Sequence, residues 1–241
     1  MSCAIAVMAK APQPGRSKTR LIPHLTPDEA AGLSAAFLRD ITENLRLAGE
    51  EVPIAPFVAY APAGHEELFD DILAPGTRLL LADGTPDVPA GVTGFGRCLL
   101  HAISTLTESG YSAACVLNSD SPTLPTSYLR RAAELLEQPG DRVVMGPAED
   151  GGYYLLGVKR AHAHLFADIA WSTEQVAAQT RARAAELALP MVELGAWYDV
   201  DDAESLARLL DDLAAPSARG FAAPTTAAYI ASLGLHVLDQ A

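Results

Sequence analysis

Cations are scarce in this chain. Lysine and arginine number 17 against 30 aspartates and glutamates, a formal net charge of -13. That balance excludes an extended nucleic-acid footprint, which needs a basic face. Cysteines are few: Cys3, Cys98 and Cys115 lie too far apart for metal-ligand spacing. Cys3 and Cys115 fall inside predicted strands, where a free thiol packs as a small apolar group. His162 and His164 stand two apart, which is no recognised ligand spacing on a helix and argues against a zinc-type site. No apolar run approaches the length of a membrane span, and no basic region followed by an apolar signal core opens the chain. A cytoplasmic protein is expected. Aromatics make up only 6% of residues while hydrophobic residues make up 49%. This composition supports a large aliphatic core and excludes disorder as the dominant state.

Against that scarcity, four cations crowd into eleven residues: Lys10, Arg16, Lys18 and Arg20, in the stretch Lys10-Ala11-Pro12-Gln13-Pro14-Gly15-Arg16-Ser17-Lys18-Thr19-Arg20. The stretch follows an apolar run from Cys3 to Ala9 that reads as a buried strand. Its prolines and Gly15 forbid regular structure, so the cations are placed on a loop at a strand's carboxyl end. In open parallel α/β sheets ligands bind at that edge. Cations gathered there, on an acidic chain, predict an anionic ligand, and a nucleotide's phosphates fit best.

The remainder alternates strand and helix patterns. Thr26-Pro27-Asp28-Glu29 carries the signals of a helix start, with Thr26 as cap, Pro27 in the first turn and Glu29 reaching back. Leu33, Phe37, Ile41 and Leu45 continue its apolar stripe to Gly49. Strands are expected over 54–61, 78–82, 113–117, 142–145, 153–158 and 191–194. Helices are expected over 97–107, 126–137 and 204–213, with short ones over 65–72 and 227–233. Ser172-Thr173-Glu174-Gln175 repeats the capping-box pattern and predicts a helix from there to about 187. The pattern predicts one doubly wound α/β domain over 1–241, with a core of about 3–213 and a C-terminal extension over 214–241.

Three acidic constellations could carry chemistry. Asn118-Ser119-Asp120 ends a buried strand, where alternate side chains can offer oxygens to one hard cation; an Asx turn stiffened by Pro122 explains the same residues. Asp199-Val200-Asp201 offers a second alternating pair, with Asp202 available as a helix cap. Asp120 with Asp201 is the preferred metal pair, for magnesium or manganese. Glu149-Asp150-Gly151-Gly152 suits a turn where backbone approaches a ligand, with a carboxylate to orient or deprotonate an acceptor. It also matches a hairpin turn. Two other motifs fail. Gly15 to Thr19 lacks Walker spacing, and the glycines at 91, 94 and 96 lack dinucleotide-fingerprint spacing, although that stretch could wrap a nucleotide base.

Taken together, Lys10-Ala11-Pro12 through Gly15, Lys18-Thr19-Arg20-Leu21, Asn118-Ser119-Asp120-Ser121-Pro122, Gly146-Pro147-Ala148-Glu149-Asp150-Gly151-Gly152-Tyr153-Tyr154, Trp171-Ser172-Thr173 and Tyr198-Asp199-Val200-Asp201 resemble, in order, the family labelled DUF2064. The resemblance spans about 4–210 and implies a GT-A-like, Rossmann-related fold of the nucleotide-diphospho-sugar transferase type, with a mixed, mostly parallel sheet flanked by helices. The opening loop and the late Asp-x-Asp also resemble guanylyltransferase-type nucleotidyltransferases. Asn118 departs from the usual Asp-x-Asp metal motif, which leaves Asp120 as the surer ligand, with Asn118 and Asp199 as further candidates. The run from Gly91 to Arg97 is one residue out of step with the family pattern.

The expected activity is a magnesium-dependent transferase acting on a nucleotide or sugar-nucleotide donor and a small-molecule acceptor. Lys10, Gly15, Arg16, Lys18 and Arg20 would bind phosphate, and Lys18, Asp120 and Asp150 would be catalytic. Glu149, Asp150, Gly151, Gly152, Trp171, Ser172 and Thr173 would form the acceptor side. The alternatives are a nucleotidyltransferase that releases pyrophosphate and a nucleotide-binding protein without turnover.

Overall fold

The computed structural model describes residues 2–84, 88–214 and 220–235. Seven strands form one sheet: β1 Cys3–Ala9, β2 Ile54–Tyr60, β3 Arg78–Leu81, β4 Ala113–Leu117, β5 Val143–Pro147, β6 Tyr153–Val158 and β7 Met191–Glu193. Their order is β3-β2-β1-β4-β6-β5-β7. Every pairing is parallel except those of β6, which runs antiparallel to both β4 and β5. The chain winds outward from β1 to β3 and then crosses back to add β4 on β1's other side. That reversal makes the β1/β4 junction a topological switch point, where the loops after the two strands diverge and leave a crevice. Because β6 alone runs backward, the β5–β6 hairpin and the segment after β7 open at the same sheet edge as the loops after β1 and β4.

Strand alternation sorts the core onto two faces. Cys3, Ile5 and Val7 pack on one side, and Ala4 and Ala6 on the other. The first face is covered by α1 (Pro27–Ala48), α3 (Thr126–Glu137), α5 (Ala203–Ala214) and α6 (Pro224–Ser232), the second by α2 (Phe95–Glu108) and α4 (Val176–Glu186). The α1 start is as its sequence dictates: Thr26 Oγ1 accepts from the Glu29 amide at 3.3 Å, and Glu29 Oε2 accepts from the Thr26 amide at 2.7 Å. Among the described residues no helix is long and apolar enough to cross a membrane.

Two expectations are corrected. The segment over 65–72 holds only a 3-10 turn, Glu66–Phe69. Ser172-Thr173-Glu174-Gln175 does not open α4, which begins at Val176 without a side-chain cap. Ser172 has a φ of 64°, and Thr173 Oγ1 donates to the Ala170 carbonyl at 2.7 Å. The capping function comes from elsewhere, since the Gly151 carbonyl accepts from the Ala177 amide at 2.9 Å.

The described part of the C-terminal segment is anchored to the core. Asp40 on α1 is fully buried, and its carboxylate accepts from the amides of Thr225 at 3.0 Å and Thr226 at 2.6 Å. It therefore satisfies donors that the first turn of α6 leaves open. Gly32 leaves room for the Tyr229 ring, whose hydroxyl donates to the Glu29 carbonyl at 3.3 Å. Residues 215–219 and 236–241 of the extension lie outside the described set.

Candidate active site

A cavity of about 380 Å³ lies at the carboxyl ends of β1, β2, β3 and β4. All four clustered cations, Lys10, Arg16, Lys18 and Arg20, line it, together with Asp120 and Asp201. The loop is held by short-range bonds. The Arg16 and Ser17 amides donate to the Gln13 carbonyl, and Ser17 Oγ accepts from the Gln13 amide at 3.0 Å. Gly15, at a φ of 73°, turns the chain there and does not itself line the cavity.

Lys18 differs from its three neighbours. Its side chain is only 5% exposed, against 77% for Arg20. A left-handed backbone (φ 48°) at Lys18 precedes a 3-10 turn over Thr19–Leu21, and Leu21 is buried in the core. The Lys18 ammonium sits 5.3 Å from the Phe37 ring centre. It contacts Asp120 directly, Asp201 Oδ1 at 3.1 Å and the Val200 carbonyl at 2.6 Å. Burial by itself would lower its pKa, but the charges of Asp120 and Asp201 outweigh burial and hold it above the ordinary lysine range. A solvated Lys18 is what the open loop predicts; the structure buries it because its partners come from loops 102 and 183 residues on.

The two segments that carry Asp120 and Asp201 are joined by backbone as well, since the Val200 amide donates to the Asp120 carbonyl at 2.9 Å. The donors around the ammonium are all oxygen, namely two carboxylates and a carbonyl. That set fits a hard divalent cation, which would take its remaining ligands from phosphate and water. Among the described residues no group of three or more His, Cys, Asp or Glu forms a metal cage. Asn118 and Asp199 stand outside this arrangement and do not line the cavity. Asn118 Nδ2 donates to Ser121 Oγ at 3.0 Å, and Ser121 in turn donates to the Tyr198 carbonyl at 2.8 Å. Burial, reinforced by Asp150, Asp201 and Asp120, raises the Asp199 carboxyl to about 6. Asp202 accepts from the Ser205 amide at 2.9 Å at the start of α5.

None of the residues expected on the acceptor side lines the cavity that gathers the cations. Glu149 forms a two-point ion pair with Arg208 of α5, at 2.5 and 3.1 Å, which lowers its pKa. Asp150 Oδ1 accepts from the Gly152 amide at 2.8 Å, an Asx turn within the hairpin. Gly151 has a φ of 91° and lies against Glu174, so the hairpin reading describes this segment. Ser172 and Thr173 are exposed and offer no helix N-terminus. Trp171 packs edge-on against Phe95 with ring centres 6.0 Å apart, and its indole leaves no room for a Cβ at Gly96.

Residues singled out by no motif complete the site. Tyr60 and Met8 line the first cavity, as does Phe95, which is 49% exposed at the α2 start. The run of glycines at 91, 94 and 96 is the only sign of Phe95 in the sequence. Arg97 Nε donates to the Gly84 carbonyl at 2.9 Å and fixes the turn after β3.

Comparison with known proteins gives the family and the fold. The model of the family described as "Uncharacterized protein conserved in bacteria (DUF2064)" matches residues 44–173. No curated protein matches the sequence. A solved structure from Desulfovibrio desulfuricans G20, described provisionally as a nucleotide-diphospho-sugar transferase, is 26% identical with a TM-score of 0.79, over 97% of this chain and 96% of that one. A cytidylyltransferase from Leptospira borgpetersenii is 11% identical with a TM-score of 0.55, over 100% and 98%. Glucosyl-3-phosphoglycerate synthase from Mycobacterium tuberculosis, solved with Mn2+, UDP and phosphoglyceric acid, is 12% identical with a TM-score of 0.50, over 90% and 80%. The fold is thus the GT-A, nucleotidyltransferase-like one, and these neighbours are transferases.

Proposed function

Because this chain belongs to the DUF2064 family, whose model covers more than half of it, we propose that it is a transferase taking a sugar from a nucleotide-diphosphate donor to a small-molecule hydroxyl. The observation that carries the reading is the meeting of four cations with Asp120 and Asp201 in one cavity at the switch point. The solvent-facing cations Lys10, Arg16 and Arg20 bind the donor's phosphates. Asp120 and Asp201 would hold magnesium or manganese, which supplies neutralising charge to the diphosphate. Lys18 keeps the two carboxylates together and places a further positive charge near the negative charge that the leaving group develops.

In the transfer, the acceptor's hydroxyl oxygen bonds to the sugar's anomeric carbon. The bond from that carbon to the diphosphate breaks, its electron pair stays on the nucleoside diphosphate, and the hydroxyl proton leaves to solvent. A second reading, nucleotidyl transfer with pyrophosphate release, is favoured by the number of cations, since a triphosphate carries more charge than a sugar diphosphate. A thermal-shift screen of nucleoside triphosphates and sugar nucleotides, with and without Mg2+, tests both. A Mg2+-dependent shift with a sugar nucleotide, followed by nucleoside diphosphate release, is expected. Pyrophosphate release from a triphosphate would select the second reading, and no shift with any nucleotide would overturn both.

A further inference from the structure

A second cavity, of about 150 Å³, adjoins the first and shares Met8, Phe95, Ser119 and Asp120 with it. The two differ in charge. Four cations line the first; the second has no lysine, arginine or histidine among the described residues of its lining, and Asp120 is its sole carboxylate. The rest is largely apolar or aromatic, including Leu99, Val116, Tyr153 and Tyr154. An anion placed there would give up hydration with no cation in the lining to replace it, and the carboxylate of Asp120 is already paired with Lys18. Two lining residues also carry buried polar atoms without a partner, Asn118 Oδ1 and the Tyr153 hydroxyl. Buried groups of this kind are rarely left unpaired, and a small side-chain rotation toward the cavity would let these two accept from and donate to a ligand hydroxyl. An apolar cavity of about 150 Å³ admits a single six-membered ring.

We infer that this second cavity is the acceptor subsite and that it takes an uncharged, hydroxyl-bearing ring. Its role as an acceptor subsite rests on the transferase reading above; its selectivity for a neutral ring rests on the lining alone. A pyranose and a phenol share this chemistry, and both can lay an apolar face on Phe95 and the tyrosines.

The test uses the full chain and measures binding of phenol, cyclohexanol and methyl glucopyranoside by saturation-transfer NMR and calorimetry, beside phenyl phosphate and glucose 6-phosphate. Val116→Phe fills the cavity from a position that does not itself line the first, and UDP and GDP affinity with Mg2+ is followed in parallel. The expected result is that at least one neutral ring binds and weakens at least tenfold in Val116→Phe, while nucleotide affinity is unchanged. Phenol against methyl glucopyranoside then separates the two sources. A phosphorylated ring that binds more tightly than its neutral counterpart, and is lost in Val116→Phe, would overturn the inference. So would neutral-ring binding that Val116→Phe leaves intact, or no binding of any neutral ring. Should Val116→Phe fail to fold, Asn118→Leu replaces it: phenol lost with toluene retained supports the subsite, and phenol retained overturns it. Ring binding lost in Val116→Phe, in a protein that binds no nucleotide, supports the neutral-ring cavity and removes the transferase reading instead.

Discussion

Two segments at one sheet edge, the loop after β1 and the hairpin between β5 and β6, both resemble ligand-binding turns, with glycine, strand-end placement and clustered charge. Their charges are used differently. In the first, Lys10, Arg16 and Arg20 face a cavity and only Lys18 turns inward. In the second, the charges are consumed within the fold: Glu149 ties the hairpin to α5, Asp150 closes its own turn, and the Gly151 carbonyl caps α4. A charged turn binds a ligand only if its charges are left over after the fold has used what it needs.

Four substitutions sharpen that contrast, from the largest expected effect to the smallest. Gly151→Ala should cost about 3 kcal/mol or more, because an added Cβ would meet the Glu174 carbonyl at 2.2 Å on a backbone at φ 91°. Urea unfolding measures this, and nucleotide affinity of the folded fraction should stay at the parent value. Lys18→Ala should cost about 2 kcal/mol, less than the roughly 3–5 kcal/mol of a fully buried pair because Asp120 and Asp201 are 32% and 43% exposed. Its diagnostic is rescue: Mg2+ should raise the melting temperature of Lys18→Ala more than that of the parent protein, and equal shifts would deny that the carboxylates can accept a metal.

Arg20→Ala should leave stability within about 0.5 kcal/mol but weaken nucleotide binding about tenfold, near 1.4 kcal/mol by calorimetry. A loss of stability there would erase the distinction from Lys18. Asp150→Asn should change stability by less than about 0.5 kcal/mol, since asparagine makes the same turn, and should leave donor affinity unchanged. A large fall in turnover in this variant would return the hairpin to the catalytic machinery.

Much of the fold is legible in the sequence because its determinants are local. The Thr26 box, the apolar stripe from Leu33 to Leu45 and the buried run of β1 each need only neighbours within a few positions. The cation cluster is legible for the same reason. What is not legible depends on distant residues. Ser172 to Gln175 has the letters of a capping box, but Gly151, 26 positions before Ala177, performs the capping. Lys18 sits among solvated cations in the sequence and is buried by groups from the ends of β4 and the loop after β7. The second cavity is not legible as one site, because it joins Asn118-Ser119-Asp120 and Tyr153-Tyr154 from two separate motifs to ordinary residues of β1, α2 and β4.

The Asp40 anchor bears on the order in which this protein can be made. Its carboxylate finds its amide partners 185 and 186 positions later in the chain. Until α6 has been made, α1 must carry a carboxylate without its amide partners on the face where α6 will dock. That face closes only after synthesis has passed residue 226, so a ribosome stalled before then would hold an exposed, charged α1 within reach of chaperones and proteases.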